Sequence, residues 1–330
     1  MHFKQLLSVS CLSLAVMGAN VSAKEVIVSA VSPTSDDYAL AVAWSNISAR
    51  DEGDSLTVVD NGTIKGLRLL AMNKVDVTVI GSPHFKDATL RQGQFAEDPE
   101  RLIERYKTIK ALFAIRSSAG QYLVTEKSGI KRFADFKGHS LAVGRPGGQA
   151  GSVSSELLKS VGLAPGEDVD TQYITYGEAF DQMANGSLDG TFVWGSVPQA
   201  AVDNASRTMN LRFVSPDVAT FEEFKGNITS GEYFSLKTVP ASRIESAYEG
   251  RVESDGDVQF WTFPFMFVVN ESMDEETAYQ ITKTLWEHVE DVRNASNALA
   301  LLDINDATQM LSADLHPGAA RYFREKGLIQ

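Results

Sequence analysis

The sequence predicts an α/β fold made of two similar lobes with a cleft between them. Short apolar runs that suit buried strands alternate with segments of helical periodicity, beginning with a strand over 25–30 and a helix over 38–47. This alternation is typical of strand–helix–strand units. A pattern that occurs twice supports the division into lobes, and a glycine-rich loop supports a binding site between them.

The repeated pattern lies at 75–83 and 188–198. The first reads Val-Asp-Val-Thr-Val-Ile-Gly-Ser-Pro and the second Leu-Asp-Gly-Thr-Phe-Val-Trp-Gly-Ser-Val-Pro. Both run from an aspartate, Asp76 or Asp189, through a threonine and an apolar strand to a Gly-Ser loop, and the two aspartates are predicted to be turn or cap residues. Ligands of open α/β sheets bind at the carboxyl ends of strands, so two such ends facing each other would form a cleft. The alternative is chance similarity.

The glycine-rich loop over 144–151 follows a predicted strand over 141–143 and precedes a helix predicted to begin at Ser152. Backbone N–H groups at a helix start favour an anion, and glycine lets a ligand approach closely. Arg145 adds a planar, bidentate donor for a carboxylate. The loop matches neither the P-loop nor the Gly-x-Gly-x-x-Gly motif. It predicts a carboxylate pocket, with an ordinary strand–helix turn and a solvated arginine as the alternative.

Residues 1–23 are typical of a secretory signal peptide. Lys4 precedes a mostly apolar stretch over 6–17, and Val-Ser-Ala ends the segment at Ala23. The apolar stretch is shorter than the roughly 20 residues that span a bilayer. Cleavage after Ala23 would remove the only cysteine, Cys11, so no disulfide and no cysteine–metal site is expected. The expected product is periplasmic in a Gram-negative cell.

The composition argues against several classes of partner. The chain of 330 residues carries a formal net charge of −13, and loss of Lys4 would make it more negative. Binding of nucleic acid needs basic surface, so nucleic acid and anionic membranes are not expected partners. Net charge does not decide the charge of a small ligand. A monomer is expected.

Further elements complete the two lobes. No Gly/Ser linker interrupts the chain, so strands are expected to pass between lobe I, at 24–124 plus 267–330, and lobe II, at 125–266. The stretch 98–107 is interpreted as a solvated charged helix or loop, and 217–239 is too weakly periodic to assign. Further strands are predicted over 56–59, 109–115, 121–125, 169–175, 211–214 and 258–270, the last bent at Pro264. Further helices are predicted over 64–72, 178–184, 275–293, 299–311 and 318–326.

Several of these stretches resemble a known family. They are Gly-Leu-Arg-Leu-Leu at 66–70 with its strand, Ser-Gly-Ile-Lys-Arg-Phe-Ala-Asp-Phe-Lys-Gly at 128–138, the second repeat at 188–198, Pro-Phe-Met-Phe-Val-Val at 264–269 and His-Pro-Gly-Ala-Ala-Arg-Tyr-Phe at 316–323. In order and spacing the chain resembles the TAXI family of TRAP-transporter solute-binding proteins over most of 60–330.

The resemblance implies a two-lobed periplasmic binding fold of type II with a hinge and no cofactor. It implies capture of a glutamate- or 2-oxoglutarate-like dicarboxylate and its delivery to the membrane subunits of a sodium-driven TRAP transporter. The chain departs from the family at 32–37, at 147–150 and at Trp194. Asp36 or Asp37 near the site would disfavour a dianion unless Arg145 offsets the charge.

Candidate ligand-binding residues combine hydroxyl, amide, aromatic or cationic side chains, or a bare glycine backbone, with loops at strand ends. Each has a cap, turn or core position as its alternative. They are Thr34, Ser35, Tyr38, Asn61, Thr63, Ser82, Arg145, Gly148, Gln149, Ser152, Tyr176, Trp194 and Ser196.

Catalysis is not expected from the sequence. No nucleophile elbow is visible, and His84, His139, His288 and His316 lack metal-ligand spacing. The alternatives to a TRAP binding protein are a binding protein for an ABC transporter or a sensor and, less favoured, an enzyme on the same fold.

We expect Arg145→Ala to weaken carboxylate binding at least tenfold, because it removes a charge-assisted, bidentate donor. Titration calorimetry of the variant and the parent protein measures this change. Unchanged affinity would remove Arg145 from the site and leave Arg116 or Lys86 to balance the ligand's charge.

Overall fold

The computed structural model describes residues 25–31, 33, 35–51, 55–116, 118–144, 149–296, 299 and 302–330. The predicted α/β class is confirmed. The strands are β1 (Glu25–Ala30), β2 (Ser55–Asp60), β3 (Val77–Gly81), β4 (Ile109–Ile115), β5 (Ala119–Thr125), β6 (Ser140–Ala142), β7 (Asp170–Gln172), β8 (Gly190–Gly195), β9 (Leu211–Val214), β10 (Ser235–Val239), β11 (Val252–Glu253), β12 (Val258–Thr262) and β13 (Phe265–Asn270). The helices are α1 (Asp36–Asp51), α2 (Thr63–Ala71), α3 (Ser82–Leu90), α4 (Glu100–Tyr106), α5 (Gln149–Lys159), α6 (Tyr176–Asn185), α7 (Ala200–Ser206), α8 (Val218–Asn227), α9 (Ala241–Tyr248), α10 (Glu275–Glu287), α11 (Val289–Ala295) and α12 (Pro317–Glu325).

The strands form two mixed sheets. The first has the order β2-β1-β3-β13-β4, with β1 parallel to β2 and β3 and with β13 antiparallel to its neighbours. The second has the order β10-β12-β5-β8-β6-β7, and β9 joins it by pairing with β5 and β11. In both sheets a helix follows most of the parallel strands, so helix starts gather at the carboxyl ends of those strands. We call the first sheet with its helices lobe I and the second lobe II.

Two short crossovers join the sheets. The chain leaves the first sheet after β4 and enters the second at β5, and it returns between β12 and β13 through Phe263 and Pro264. The predicted bent strand over 258–270 is therefore two strands in different sheets. Pro264 has no N–H for a ladder, and its carbonyl instead accepts from the Ser82 N–H at 2.9 Å. The lobe boundaries at 124/125 and 266/267 stay predictions. The first of them falls within β5, which pairs in the second sheet along its whole length.

The two copies of the repeated pattern occupy equivalent positions. Asp76 directly precedes β3, and its Oδ2 accepts from the N–H of Ile27 in the parallel strand β1 at 2.9 Å. Asp189 directly precedes β8, and its Oδ2 accepts from the N–H of Ser140 in the parallel strand β6 at 3.0 Å. In each lobe the aspartate thus accepts from an amide of the neighbouring parallel strand. This agrees with its interpretation as a cap.

Two helix predictions at the carboxyl end are corrected. The helix predicted over 275–293 is divided, since α10 ends at Glu287 and α11 begins at Val289, with His288 between them at φ −110°. The helix predicted over 299–311 is wrong for the described residues, which have 3₁₀ conformation at Leu299 and over Ile304–Asp306 and no α-helix. Leu299, Leu302 and Leu311 pack against the lobe I core, so the apolar pattern occurs here without an α-helix.

The stretch over 98–107 contains helix α4, and its charged side chains are exposed, with the exception of Asp98. Asp98 is buried, and its carboxylate accepts from Arg68 Nε at 3.0 Å and from the Tyr106 hydroxyl at 2.7 Å. Leu102 and Ile103 on α4 are buried in the same region. One face of α4 therefore packs on lobe I and the charged face is exposed, which agrees with the predicted solvated charged helix except at Asp98. Along the described ranges, no helix has the length and apolar character to cross a membrane.

Gly318 tests the packing of α12 on α10. A Cβ at this position would lie 2.1 Å from the Glu275 carbonyl oxygen and 2.7 Å from the Tyr279 nitrogen, and neither backbone atom can yield cheaply. We expect Gly318→Ala to reduce the free energy of unfolding by about 1–3 kcal/mol. Gly226→Ala is the matched control, since a Cβ there meets nothing within 4 Å. Urea denaturation measures both, and equal effects would contradict the packing argument.

Candidate functional site

Two adjoining cavities lie between the lobes. The aromatic cavity has a volume of about 680 Å³ and is lined by residues that include Thr63, His84, Tyr176, Trp194, Phe263 and Phe265. The acidic cavity has a volume of about 840 Å³ and is lined by residues that include Asp36, Asp37, Ser196, Asp203, Arg207 and Glu249. Val31, Tyr176, Trp194 and Phe265 line both, so these four residues separate two halves of one cleft.

Three helices begin at the aromatic cavity, and they come from both lobes. Thr63 and Ile64 start α2 in lobe I, Ala150 lies in the first turn of α5, and Tyr176 and Gly177 start α6 in lobe II. No side chain caps the start of α2. Helix starts carry unsatisfied N–H groups and a positive partial charge. The described residues that line this cavity include no charged side chain.

The start of α6 carries a capping box formed by Thr175 and Glu178. Thr175 Oγ1 accepts from the Glu178 N–H at 3.4 Å, and Glu178 Oε2 accepts from the Thr175 N–H at 2.9 Å. The carboxylate of Glu178 is therefore engaged by the cap residue itself. Tyr176 and Gly177, the first two residues of α6, line the cavity.

An aromatic wall covers the other side of the aromatic cavity. Trp194 stacks on Phe263 with ring centroids 5.2 Å apart and also contacts Trp261 and Phe265. Gly120 makes room for Trp261, because a Cβ there would lie 2.1 Å from the indole ring. Such a wall suits a planar or apolar part of a ligand.

The acidic cavity has carboxylates at the start of α1. Asp36 Oδ2 accepts from the Ser118 hydroxyl at 2.6 Å, which ties α1 to the first crossover. Asp37 is buried, and its Oδ2 accepts from the Val31 N–H at 2.7 Å. Burial, assisted by repulsion from Asp36, raises the pKa of Asp37 to about 6, although hydrogen bonds from Ser35 and Val31 act in the opposite direction. The helix start is thus already occupied by the protein's own acids.

A cationic cluster supports the first crossover outside both cavities. Arg116 donates to Ser235 and lies 3.6 Å from Asp306, and Lys237 Nζ donates to the Arg116 carbonyl at 2.8 Å. Burial lowers the pKa of Lys237. Arg116 is therefore engaged within the protein, and it lines neither cavity.

The cleft brings together five of the predicted site residues. Thr63 lines the aromatic cavity, Ser35 and Ser196 line the acidic cavity, and Tyr176 and Trp194 line both. Three others lie outside the described residues: Thr34, Arg145 and Gly148. Gln149 is the first residue of α5, and its side chain also lies outside the description.

Four predicted site residues lie elsewhere. Tyr38 packs against the lobe I core, and Asn61 Nδ2 donates to Ser29 Oγ at 3.2 Å. Ser82 is fully buried, and its hydroxyl donates to the Met310 carbonyl at 2.9 Å. Ser152 is exposed and lines neither cavity, because α5 begins three residues earlier than predicted and turns this position outward.

The sequence interpretation missed several lining residues. The predicted site does not include His84, and Phe263 and Phe265 fall within the strand predicted over 258–270. The signal for the two phenylalanines was the density of aromatic side chains around Pro264. A proline that ends one strand and starts another places its neighbours at a crossover, where side chains can face a cleft.

We expect the pH dependence of stability to change in Asp37→Asn. The pKa of Asp37 rises from 3.8 in the unfolded chain to about 6 in the folded protein. Its contribution to stability is therefore largest below pH 4 and is lost as the pH rises through 6. Relative to the variant, the wild-type free energy of unfolding should fall by about 2 kcal/mol between pH 4.5 and pH 7.5. Urea titrations measure it, and a constant difference would contradict the burial argument.

Several solved structures of binding proteins are similar to this chain. The TctC solute-binding protein from Polaromonas shares 12% identity over 93% of this chain and 98% of its own, with a TM-score of 0.54. The aliphatic sulphonate-binding protein SsuA from Escherichia coli shares 13% identity over 92% of this chain and 88% of its own, with a TM-score of 0.48. A TRAP periplasmic solute-binding protein from Pseudomonas aeruginosa, solved with L-malate, shares 12% identity over 93% of this chain and 91% of its own, at a TM-score of 0.45.

The first of these likenesses shows that the fold is the two-lobed fold of periplasmic solute-binding proteins. The NMT1-like family matches residues 28–327, which include both sheets and the cleft between them. This chain belongs to the NMT1-like family.

Proposed function

We propose that the protein is an extracytoplasmic solute-binding protein that captures a small organic acid in the aromatic cavity. The observation that supports this most is the meeting of three helix starts, from both lobes, at a cavity whose described lining has no charged side chain. The unsatisfied N–H groups of the first helical turns can donate to a carboxylate without an arginine or lysine.

The ligand class follows from the charges of the two cavities. A carboxylate with a planar or apolar body fits the helix starts and the wall formed by Trp194, Phe263 and Phe265. The second acid group of a dicarboxylate would approach Asp36 and Asp37 in the acidic cavity, where like charges repel. We therefore favour an aromatic or apolar monocarboxylate over the dicarboxylate expected from the sequence, with Arg145 as the group that would reverse this preference.

The mechanism is closure of the two lobes about the crossovers. A ligand that contacts Thr63 of lobe I and Tyr176 of lobe II bridges the lobes, and it stabilises the closed form by binding it better than the open form. Transfer to the membrane subunits of a TRAP transporter is the route that the resemblance to TAXI proteins favours. An ABC transporter or a sensor is the alternative partner.

We expect phenylpyruvate, phenylacetate or indole-3-acetate to raise the melting temperature. Ligand at about 100 times Kd adds roughly 2.7 kcal/mol, which corresponds to several degrees for a chain of this size. Binding should also change the tryptophan fluorescence, because Trp194 and Trp261 line the cavity. Trp194→Ala should weaken binding at least tenfold, and Trp286→Phe is the control because Trp286 lies in the lobe I core.

Other results with these acids would distinguish the alternative ligands and functions. Binding of glutamate or 2-oxoglutarate without binding of the aromatic acids would restore the dicarboxylate. Turnover of a bound acid at catalytic protein concentration would indicate an enzyme, whereas stoichiometric recovery of unchanged ligand supports a binding protein. A melting temperature that no acid changes would contradict the proposal.

A further inference from the structure

His84 lines the aromatic cavity from lobe I. It is the third residue of α3, and its ring packs edge-on against Phe263 of the second crossover, with centroids 5.8 Å apart and an interplanar angle of 78°. The imidazole therefore contacts the aromatic wall described above. It is also the one titratable side chain from lobe I among the described residues that line this cavity.

The two ring nitrogens of His84 have different surroundings. Nδ1 is enclosed and has no hydrogen-bond partner. It faces Gly81, where an added Cβ would lie 2.8 Å from Nδ1 and 2.5 Å from the Phe263 ring. Nε2 is not enclosed in this way, so it is the nitrogen that is open to the cavity.

Three hydrogen bonds of Ser82 fix the backbone that carries His84. The Ser82 N–H donates to the Pro264 carbonyl at 2.9 Å, and the Ser82 hydroxyl donates to the Met310 carbonyl at 2.9 Å. The Ser312 hydroxyl donates to the Ser82 carbonyl at 2.7 Å. The first turn of α3 is thereby fixed to the second crossover and to the carboxyl-terminal segment, so the imidazole is presented by a rigid element.

The charge state and tautomer of the imidazole follow from this burial. His84 is half-buried, desolvation of its ring lowers the pKa to about 4, and no charged side chain belongs to the described cavity lining. The ring is therefore neutral near pH 7 and carries one proton. A proton on Nδ1 would be a buried donor without an acceptor, which is costly, whereas a proton on Nε2 can meet water or a ligand. The tautomer with Nε2–H is favoured.

We propose that His84 determines ligand specificity by donating from Nε2–H to an oxygen acceptor that the ligand carries beside its acid group. This inference rests on the proposed function and narrows its ligand class. The helix starts take the carboxylate, the aromatic wall takes the planar body, and His84 selects a carbonyl or hydroxyl oxygen. The donor is uncharged, so it discriminates by hydrogen bonding and adds no attraction for a second anionic group.

Nitrogen NMR of protein labelled with ¹⁵N-histidine tests the donor in the free protein. His84→Gln identifies the His84 signals by their loss. We expect the neutral tautomer with the proton on Nε2 throughout pH 5.5–8. A proton on Nδ1, or titration near pH 6.5, would overturn the assignment of His84 as a neutral Nε2 donor.

A matched pair of probes tests the specificity. Phenylpyruvate and phenylacetate share a phenyl ring and a carboxylate, but only phenylpyruvate carries a keto oxygen. We expect the wild type to bind phenylpyruvate about five to ten times more tightly. His84→Phe should remove this preference, whereas His84→Gln, which keeps a donor near the Nε2 position, should keep most of it. His288→Gln is the control, since its imidazole contacts Asp51 and lines neither cavity.

The outcomes distinguish this inference from the proposed function. Equal binding of both probes by the wild type, or an unchanged preference in His84→Phe, would overturn the role of His84 and leave the binding protein intact. Failure of both probes to bind the wild type would contradict the aromatic monocarboxylate class and, with it, the selection by His84.

Discussion

The double crossing between the sheets is the constraint on which the cleft depends. The chain passes from β4 to β5 and from β12 to β13 in segments of only two or three residues, so the two sheets must meet side by side. Helix starts that follow parallel strands then face one another across the junction, as Thr63 and Tyr176 do. Because Phe263 and Phe265 flank the second crossing, the joint between the lobes is also part of the cavity wall.

Local hydrogen-bonding rules made much of the fold predictable. The shared pattern around Asp76 and Asp189 is present in the sequence, and in the structure each aspartate accepts from an amide of the neighbouring parallel strand. Strand edges and caps depend on residues a few positions apart, so a sequence shows them directly. The division of α10 from α11 at His288 has no comparable signal, because the apolar pattern continues through the break.

The site was less predictable because the direction of a side chain is set by tertiary contacts. Ser82 and Ser196 occupy equivalent Gly-Ser positions, yet Ser82 is buried against the Met310 carbonyl and Ser196 lines the acidic cavity. The two Gly-Ser pairs themselves do not indicate which serine is buried and which lines a cavity. His84 was similarly obscure, since a lone histidine two residues after a serine gives no indication that Gly81 leaves room for its ring.

The two halves of the cleft have opposite electrostatic character, and this has a consequence for any ligand that fills both. Helix starts make the aromatic half favourable for an anion, whereas Asp36 and Asp37 make the other half favourable for a neutral or cationic group. Tyr176, Trp194 and Phe265 stand at the boundary. Burial of Asp37 lowers the free energy of unfolding at neutral pH, and such a cost is typical of functional positions. The proposed ligand would therefore bind in one orientation, with its acid group away from α1 and its body against the shared aromatic residues.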